Sequence, residues 1–457
     1  MRAPLPPASA QPPASAQPPA SAQPPASAQP PASVSTSAEA SAQPSASAEP
    51  SASARCPVSA AAAEAPVLPT RRDDPLDPPP ELARIRSEAP ISPLSFPDGA
   101  TGWLLTRHED VRAILADERF SADRVTASSP VRGRPPFKEE DRPGMLLTMD
   151  RPEHTRLRRL LTPYFTTRRM QALAPRVERI VADHLDALRA AGPPADLVPS
   201  FTLPIPSLVI CELLGVPYED RGRFHAWSAA ALSLTTTDAE VDAARLALTG
   251  YMRELVAAKR REPDDALLGT LITAGTDLTD AELTGIGRLL LVAGHETTAN
   301  MLALGTVTLL TRPDQLRAFR GSPDAADRAV EELLRYLTII QFGTTRVARE
   351  DVEVHGRLVR AGQTLVLSLP AANRDPGHFD RPDELDVTRP PSQHVAFGHG
   401  IHQCLGQQLA RVEMRIALTA LFDGLPGLRL AVPADELRMR HDMAIYGVHE
   451  LPVRWEV

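Results

Sequence analysis

Residues 397–406 read Phe-Gly-His-Gly-Ile-His-Gln-Cys-Leu-Gly, a stretch in which a single cysteine, Cys404, stands among glycines. Apolar residues then recur at helical spacing, at Leu405, Leu409, Val412 and Ile416. This pattern predicts a helix that begins just after Cys404. Free backbone N–H groups and the positive end of the helix dipole stabilise an anion at such a position. Cys404 is therefore expected to be a thiolate ligand.

The glycines of this stretch suggest what the thiolate binds. Gly398, Gly400 and Gly406 would let the backbone approach a flat ligand where a Cβ would collide. A single thiolate beside a flat group is the axial ligand expected of a haem that splits dioxygen. The alternatives are a buried core cysteine or a zinc ligand shared with His399 and His402. Zinc sites usually pair cysteines, and neither Cys56 nor Cys211 belongs to a C-x-x-C pair.

The stretch also resembles the cytochrome P450 signature, Phe-x-x-Gly-x-His/Arg-x-Cys-x-Gly. Phe397, Gly400, His402, Cys404 and Gly406 occupy its fixed positions. The resemblance implies a haem b enzyme with Cys404 as the metal ligand, and it implies haem contacts from the other residues of the loop. Those contacts are Phe397, Gly398, His402 and Gly406.

Composition divides the 457 residues into two parts. Residues 1–70 are mainly Ala, Pro, Ser and Gln, and the hexapeptide Pro-Pro-Ala-Ser-Ala-Gln runs four times over residues 6–29. Such a segment cannot bury enough apolar surface to offset its ordering entropy. It is predicted to be a disordered tail and has no apolar core of a signal peptide or membrane anchor. Residues 71–457 are predicted to form the catalytic domain.

The composition of the whole chain limits its environment and its partners. Three cysteines without an evident pairing pattern favour a reducing, cytoplasmic location. The net charge of −8 argues against general nucleic-acid binding. A monomer without membrane attachment is expected.

Periodicity in residues 71–457 predicts a mainly α fold with a minor β-rich part, similar to the P450 fold. Asp150 and Pro152 are predicted to start one helix, by capping and in the first turn. Further helices are predicted over residues 168–190, 238–261 and 323–336, and strands over 102–106, 352–354, 358–359 and 364–369. The last residues, 443–447 and 451–455, are predicted to pair as a β-hairpin.

One long buried helix is predicted from Thr279 to about residue 312. Thr279 and Glu282 form a capping box, and no proline interrupts the pattern before Pro313. Its middle reads Ala-Gly-His-Glu-Thr-Thr over residues 293–298. Gly294 weakens a helix by about 1 kcal/mol, so it needs a reason, such as room for dioxygen.

Residues 293–298 resemble the oxygen-activation motif of P450s, Ala/Gly-Gly-x-Asp/Glu-Thr. The resemblance implies that Thr297 and Glu296 are catalytic: the hydroxyl directs protons and the carboxyl delivers them. It also implies that Ala293 and Gly294 lie against the cofactor. The alternative is a bend in the helix with a solvated Glu296. A metalloprotease motif is excluded, because Ala299 stands where the second histidine would be.

A second, weaker resemblance lies in Glu332-Leu333-Leu334-Arg335, which matches the Glu-x-x-Arg of P450s. In that family the pair holds the loop that presents the cysteine, with an Arg or His as third partner. Glu384 occupies the position at which that arginine often stands. Arg381 and Arg389 are both candidates for the role.

Four basic residues match the family's partners of the two haem propionates. They are His154, Arg158, Arg346 and His402. His154 and Arg158 are one helical turn apart, so they share a face. Each alone would be an ordinary surface charge, but together they suit a dianionic ligand.

The resemblance implies a monooxygenase that inserts one oxygen atom of O2 into a lipophilic small molecule, by hydroxylating a secondary metabolite such as a macrolide, polyketide or terpenoid. A separate ferredoxin and its NAD(P)H-fed ferredoxin reductase are the expected electron donors, with Arg158, Arg159 and Arg411 as candidate contacts. A scaffold protein without turnover is the alternative from another class, although such relatives typically lose the cysteine. Desaturation or oxidative coupling is a third hypothesis.

Overall fold

The computed structural model describes residues 65–132 and 137–457. Most of the tail predicted over residues 1–70 therefore lies outside the described residues. Its last part differs from the prediction, because the Pro66 carbonyl accepts a 2.9 Å hydrogen bond from the Ser95 N–H. Leu68 is only 7% exposed and packs in a cluster with Leu82 and Leu94. The folded domain thus begins before residue 71.

Helices dominate the domain, as predicted. They are α1 Pro80–Glu88, α2 His108–Ala116, α3 Glu153–Leu161, α4 Thr167–Ala172, α5 Ala174–Ala191, α6 Pro204–Leu214, α7 Arg221–Leu232, α8 Asp238–Arg261, α9 Leu267–Thr273, α10 Asp280–Leu310, α11 Pro313–Phe319, α12 Pro323–Leu337, α13 Leu369–Ala372 and α14 Gln407–Gly424. The predicted bounds of α8 are confirmed at both ends. The helix predicted over residues 168–190 is two helices, α4 and α5.

The long helix α10 forms the centre of the domain. Its 31 residues start at the Thr279–Glu282 capping box, which is present in both of its hydrogen bonds. It packs against α6, α8, α12 and α14. Because neighbours surround it, α10 is buried on nearly every face, and that explains its lack of a polar stripe.

The strands form three small sheets among the described residues. They are β1 Ile91–Ser95, β2 Thr101–Leu105, β3 Phe120–Ser121, β4 Ala195–Asp196, β5 Thr344–Ala348, β6 Val352–Val354, β7 Arg357–Val359, β8 Thr364–Leu367, β9 Arg429–Leu430 and β10 Pro452–Arg454. The largest has the order β1-β2-β8-β5-β3, in which only β2 and β8 are parallel. In its register Arg346 of β5 pairs with Leu365 of β8.

Two local predictions are wrong, because the groups concerned form hydrogen bonds with residues that are distant in the chain. Asp150 does not cap α3. Its side chain accepts hydrogen bonds from the Ser121 hydroxyl and the Ala122 N–H instead. The predicted C-terminal hairpin also does not form, since β10 pairs with β4 and β9. Within the described ranges, no helix is both long and apolar enough to cross a membrane.

Candidate haem-thiolate site

The loop that carries Cys404 is shaped by backbone bonds and glycines. The Cys404 N–H donates to the Phe397 carbonyl at 2.9 Å, which closes the loop just before α14. Gly398 and Gly400 have φ angles of 69° and 71°, a region that favours glycine. A Cβ on Gly400 would also lie 2.6 Å from the Leu115 carbonyl of α2. Gly400 therefore lets the loop pack against α2, and both glycines allow the turns that shape the loop.

Burial dominates the environment of the Cys404 thiol and raises its pKa. The backbone N–H of Gly406, the Arg158 guanidinium and the Gln407 N–H act in the opposite direction. The groups at the start of α14 thus favour the anion, but burial outweighs them. In the described part of the chain, no group of three or more His, Cys, Asp or Glu side chains could hold a metal. The zinc alternative consequently has no support.

Open space lies beside two glycines of the loop. An added Cβ on Gly398 or on Gly406 would meet no atom within 4 Å. Cys404 also keeps accessible surface although it is deep in the protein. These residues are therefore free of protein contacts on one side, as a flat ligand would require.

The four predicted basic residues do come together. The rings of His154 and His402 lie with centroids 4.3 Å apart. Both ring nitrogens of His154 and Nε2 of His402 are buried without a hydrogen-bond partner. Burial lowers the pKa of His154 to about 4, with the Arg158 charge adding to it. Burial, followed by the charge of Arg346, lowers the pKa of His402 to about 3.

The two arginines of this set lack matching anions. Burial lowers the pKa of Arg346 to about 10, and Asp150 is the only acid that opposes the effect. Its Nη1 donates only to the Thr345 carbonyl, at 2.8 Å. Burial also lowers the pKa of Arg158, while the charge of Cys404 opposes it.

Arg124 belongs to this region as well, although no sequence pattern indicated it. Burial and the neighbouring charge of Arg346 lower its pKa to about 10. It lies in the long polar segment after β3, which has no helical or strand pattern to indicate a face. Only spatial proximity to Arg346 reveals it.

Buried cations and unsatisfied imidazoles are costly unless an anion meets them. Arg346, Arg158, His154 and His402 surround a region that has one opposing carboxylate, Asp150. A dianionic flat ligand would satisfy these groups and fill the space beside Gly398. The residues therefore fit a haem with two propionates.

The Glu332–Arg335 pair is buried and fully engaged. Arg335 is 0% exposed and donates Nε and Nη2 to the two Glu332 oxygens, at 2.8 and 2.7 Å. Its remaining N–H groups donate to the carbonyls of Asn373, Pro382 and Glu384. The carbonyls lie in the segment that leads toward the cysteine loop. The pair thus ties α12 to this segment.

The third partner of this network is Arg389. Its Nε lies 3.2 Å from Glu332 Oε2, whereas Arg381 is exposed and pairs with Glu384. Glu384 contributes only its backbone carbonyl to the network. Which arginine contacts Glu332 depends on how the irregular segment after α13 folds. The sequence alone therefore could not distinguish Arg381 from Arg389.

Two residues of α10 keep accessible surface in the middle of the helix. Ala293 is exposed and Thr297 is half-buried, although α10 runs through the middle of the domain. The Thr297 hydroxyl donates to the Ala293 carbonyl at 2.7 Å. These two residues, one helical turn apart, therefore keep accessible surface on the same side of a helix that is buried on most of its faces.

The structure gives Gly294 a packing role between two helices. A Cβ on Gly294 would lie 2.8 Å from Cγ1 of Ile210 on α6, so this glycine allows two helices to pack closely. The helix α10 also runs without interruption from Asp280 to Leu310. The expected place of Gly294 beside the cofactor stays a prediction.

Glu296 is not a solvated side chain. It is 5% exposed, and its Oε2 lies 3.2 Å from Nη1 of Arg440. The same Nη1 donates to Asn300 Oδ1 at 3.1 Å, and Asn300 Nδ2 donates to the Glu296 carbonyl at 2.7 Å. Arg440 stands far along the chain in a segment without regular structure, so the sequence offered no signal for it.

Comparisons with known proteins agree with this geometry. A family model described as Cytochrome P450 matches residues 325–424, which include Glu332, Arg335 and Cys404. Cytochrome P450 105C1 of a Streptomyces species is 49% identical over 392 residues, covering 86% of this chain and 99% of that protein. Pentalenic acid synthase of Streptomyces avermitilis is 48% identical over 399 residues, covering 86% and 98%.

Solved structures show the same fold. The crystal structure of CYP105P1 in complex with filipin I has a TM-score of 0.81 and 46% identity, covering 86% of this chain and 99% of that one. The mycinamicin VIII C21 methyl hydroxylase MycCI from Micromonospora griseorubida, bound to mycinamicin VIII, has a TM-score of 0.81 and 39% identity. It covers 85% of this chain and 100% of that one.

Proposed function

The chain belongs to the cytochrome P450 family of haem-thiolate monooxygenases, and from this premise we propose that it hydroxylates a lipophilic secondary metabolite. The single observation that carries the proposal is Cys404, a glycine-flanked thiol at the start of α14 that faces open space among unmatched cations. Relatives named for pentalenic acid and mycinamicin favour a terpenoid or macrolide-like substrate. Product mass analysis after a binding screen tests this choice.

The cofactor is haem b, and bound haem supplies oxygen activation at its iron. Cys404 would be its proximal ligand, with Phe397, Gly398 and Gly406 shaping the loop on that side. His154, Arg158, Arg346 and His402 would hold the propionates. Ala293, Gly294 and Thr297 would lie on the distal side, and Gly294 would also pack on Ile210. Residues 71–457, extended to at least residue 65, would be the catalytic domain.

Thr297 and Glu296 are proposed to manage protons. Thr297 Oγ1 now donates to the Ala293 carbonyl, and rotation about χ1 would let it donate toward the reacting oxygen instead. Arg440 would hold the Glu296 carboxyl group in place through the contact of its Nη1 with Oε2.

Thr297→Ala is expected to retain haem and substrate binding while more electrons from NAD(P)H end as hydrogen peroxide and less product forms. General acid assistance is commonly worth about 10²–10⁴-fold, so a drop of product per NAD(P)H of roughly tenfold or more is expected. Peroxide, product and cofactor consumption are measured together.

The matched control for this variant is Thr306→Ala on the same helix. Thr306 makes the same hydroxyl bond to the carbonyl four residues earlier, Leu302, at 2.8 Å, but it is fully buried. Thr306→Ala should leave the division of NAD(P)H electrons between product and hydrogen peroxide unchanged. Normal coupling in the Thr297 variant would assign proton control to another group, such as Thr298.

Neutral replacements in the propionate set are expected to speed haem loss without altering the axial ligand. Hydrogen bonds to charged groups are worth about 1.5–3 kcal/mol, so Arg346→Gln should lose haem roughly tenfold faster or more. Arg158→Gln, His154→Gln and His402→Gln should act in the same direction. Haem transfer to apomyoglobin measures the rate.

Arg159→Gln supplies the control for that experiment. Arg159 is the exposed neighbour of Arg158 on α3. If all four variants of the set lose haem no faster than Arg159→Gln, the propionate assignment is wrong.

Electrons would come from a separate ferredoxin and its NAD(P)H-fed reductase, docked on the cysteine side in the cytoplasm. Of the candidate contacts, the exposed Arg159 is the best supported. Arg411 is half-buried, ion-paired with Glu331 at 2.5 Å and placed over the Phe397 ring at 4.7 Å, so it is already engaged. Charge at Arg159 would chiefly speed encounter. The protein would act as a monomer, without nucleic acid or membrane as partner.

A further inference from the structure

His295 occupies an unusual position beside Glu296 on α10. It is 0% exposed, and its Nδ1 lies 2.6 Å from the Leu291 carbonyl. Because a carbonyl only accepts, Nδ1 must carry the hydrogen of the neutral ring. Nε2 is therefore a buried acceptor, and it has no hydrogen-bond partner among the described residues.

The nearest acid to this nitrogen is Glu296. Nε2 of His295 lies 3.8 Å from Glu296 Oε1, while the other oxygen, Oε2, is held by Arg440. Two buried acceptors thus face each other, which is unfavourable unless a proton or a bridging water lies between them. A proton on either partner would relieve this contact, so the pair is placed to take up and release a proton.

A second histidine continues the arrangement outward. His225 of α7 is half-buried, and its ring centroid lies 5.3 Å from that of His295. Its Nε2 is 2.8 Å from the Ser207 hydroxyl, which in turn donates to the Leu203 carbonyl at 2.6 Å. Nε2 of His225 therefore donates to Ser207, and Nδ1 is left as the acceptor.

We propose that His225 and His295 relay protons from the surface of α7 to Glu296. This inference rests on the proposed monooxygenase function and adds the route by which its carboxyl is resupplied. His225 takes a proton from solvent at Nδ1 and releases it to a bridging water, which passes a proton to Nε2 of His295, so that His225 returns to its neutral form. His295 then gives that proton to Glu296 Oε1 and returns to its neutral form. One proton moves inward for each one consumed, and no group is oxidised or reduced.

The charges that surround the two rings agree with this role. Burial is the main factor that lowers the pKa of both histidines, to about 4 in His225. Neutral rings of this kind pass a proton on rather than keep it. The Glu296 charge opposes the effect of burial on the pKa of His295.

His295→Phe and His225→Phe test the relay in the full-length holoprotein. Phe224 already lies against His295 with centroids 5.6 Å apart, so a phenyl ring suits the inner site. With bound substrate, His295→Phe should raise the peroxide fraction of the electron flow roughly tenfold and increase the solvent deuterium isotope effect on oxygen consumption. His225→Phe should have the same effects to a smaller extent. Without His225, water would still reach Glu296, but more slowly.

His184→Phe is the matched control. His184 makes the same Nδ1 contact to a carbonyl four residues earlier, at 2.7 Å, but on α5 and away from Glu296. It should leave the isotope effect and the peroxide fraction unchanged. If both relay variants also retain wild-type values, with normal haem content and substrate affinity, the relay is overturned.

A measurement without turnover separates this inference from the proposed function. In the diamagnetic ferrous–CO holoprotein, ¹⁵N NMR of labelled histidine reports the protonation of each ring nitrogen. Glu296→Gln should shift the Nε2 resonance of His295 and leave that of His184 in place. No shift at His295 would overturn the pairing, even in an active enzyme. A holoprotein that lacks the thiolate-type CO band would instead count against the proposed function alone.

Discussion

Arg335→Ala is expected to yield almost no holoprotein. The side chain is fully buried and donates to both Glu332 oxygens and to three backbone carbonyls. Its removal leaves the Glu332 carboxylate buried, with Arg389 as the remaining cation and the Asp386 N–H as a remaining donor. Breaking a buried ion pair in this way costs about 3–5 kcal/mol, a large part of the stability of an ordinary domain. Haem content per protein and the thermal midpoint measure the loss.

Two further variants make that experiment specific. Arg335→Lys keeps the charge but not the planar fork of donors, so it should recover little. Arg381→Ala removes an arginine from the same region that is exposed and pairs with Glu384 at the surface. It should behave as wild type, since exposed ion pairs contribute little. Normal haem content in Arg335→Ala would show that the cysteine loop is held by other contacts.

The second large effect is expected from Cys404→Ser. A serine keeps the loop, because the Cys404 N–H bond to the Phe397 carbonyl and the glycine φ angles do not depend on the sulfur. The variant should therefore fold and still retain haem through the basic residues. It should lose the electron donation of the thiolate and, with it, monooxygenase turnover.

The sequence predicted best what local patterns specify. The capping box of α10 and its unbroken apolar run set a long buried helix, and the cysteine loop was defined by its own glycines. The bounds of α8 followed from its Thr237 capping box and the basic last turn. Each of these features depends on residues that are neighbours in the chain.

What the sequence could not predict depends on partners that are distant in the chain. Arg440 reaches Glu296 across 144 positions, and Asp150 caps no helix because the backbone and hydroxyl near residue 121 take its oxygens. The packing of Gly294 on Ile210 likewise joins two helices that are far apart in the chain. The C-terminal strand β10 pairs with β4, some 255 residues earlier, and not with the adjacent residues 443–447.

The assignment of Cys404 as the proximal ligand is tested most directly by the ferrous–CO absorption spectrum. The wild-type holoprotein should show the strongly red-shifted Soret band that a thiolate ligand gives. Cys404→Ser should bind haem and CO but show the band at the shorter wavelength of a ligand without sulfur. A red-shifted band that persists unchanged in Cys404→Ser would contradict the assignment of Cys404 and, with it, the proposed site.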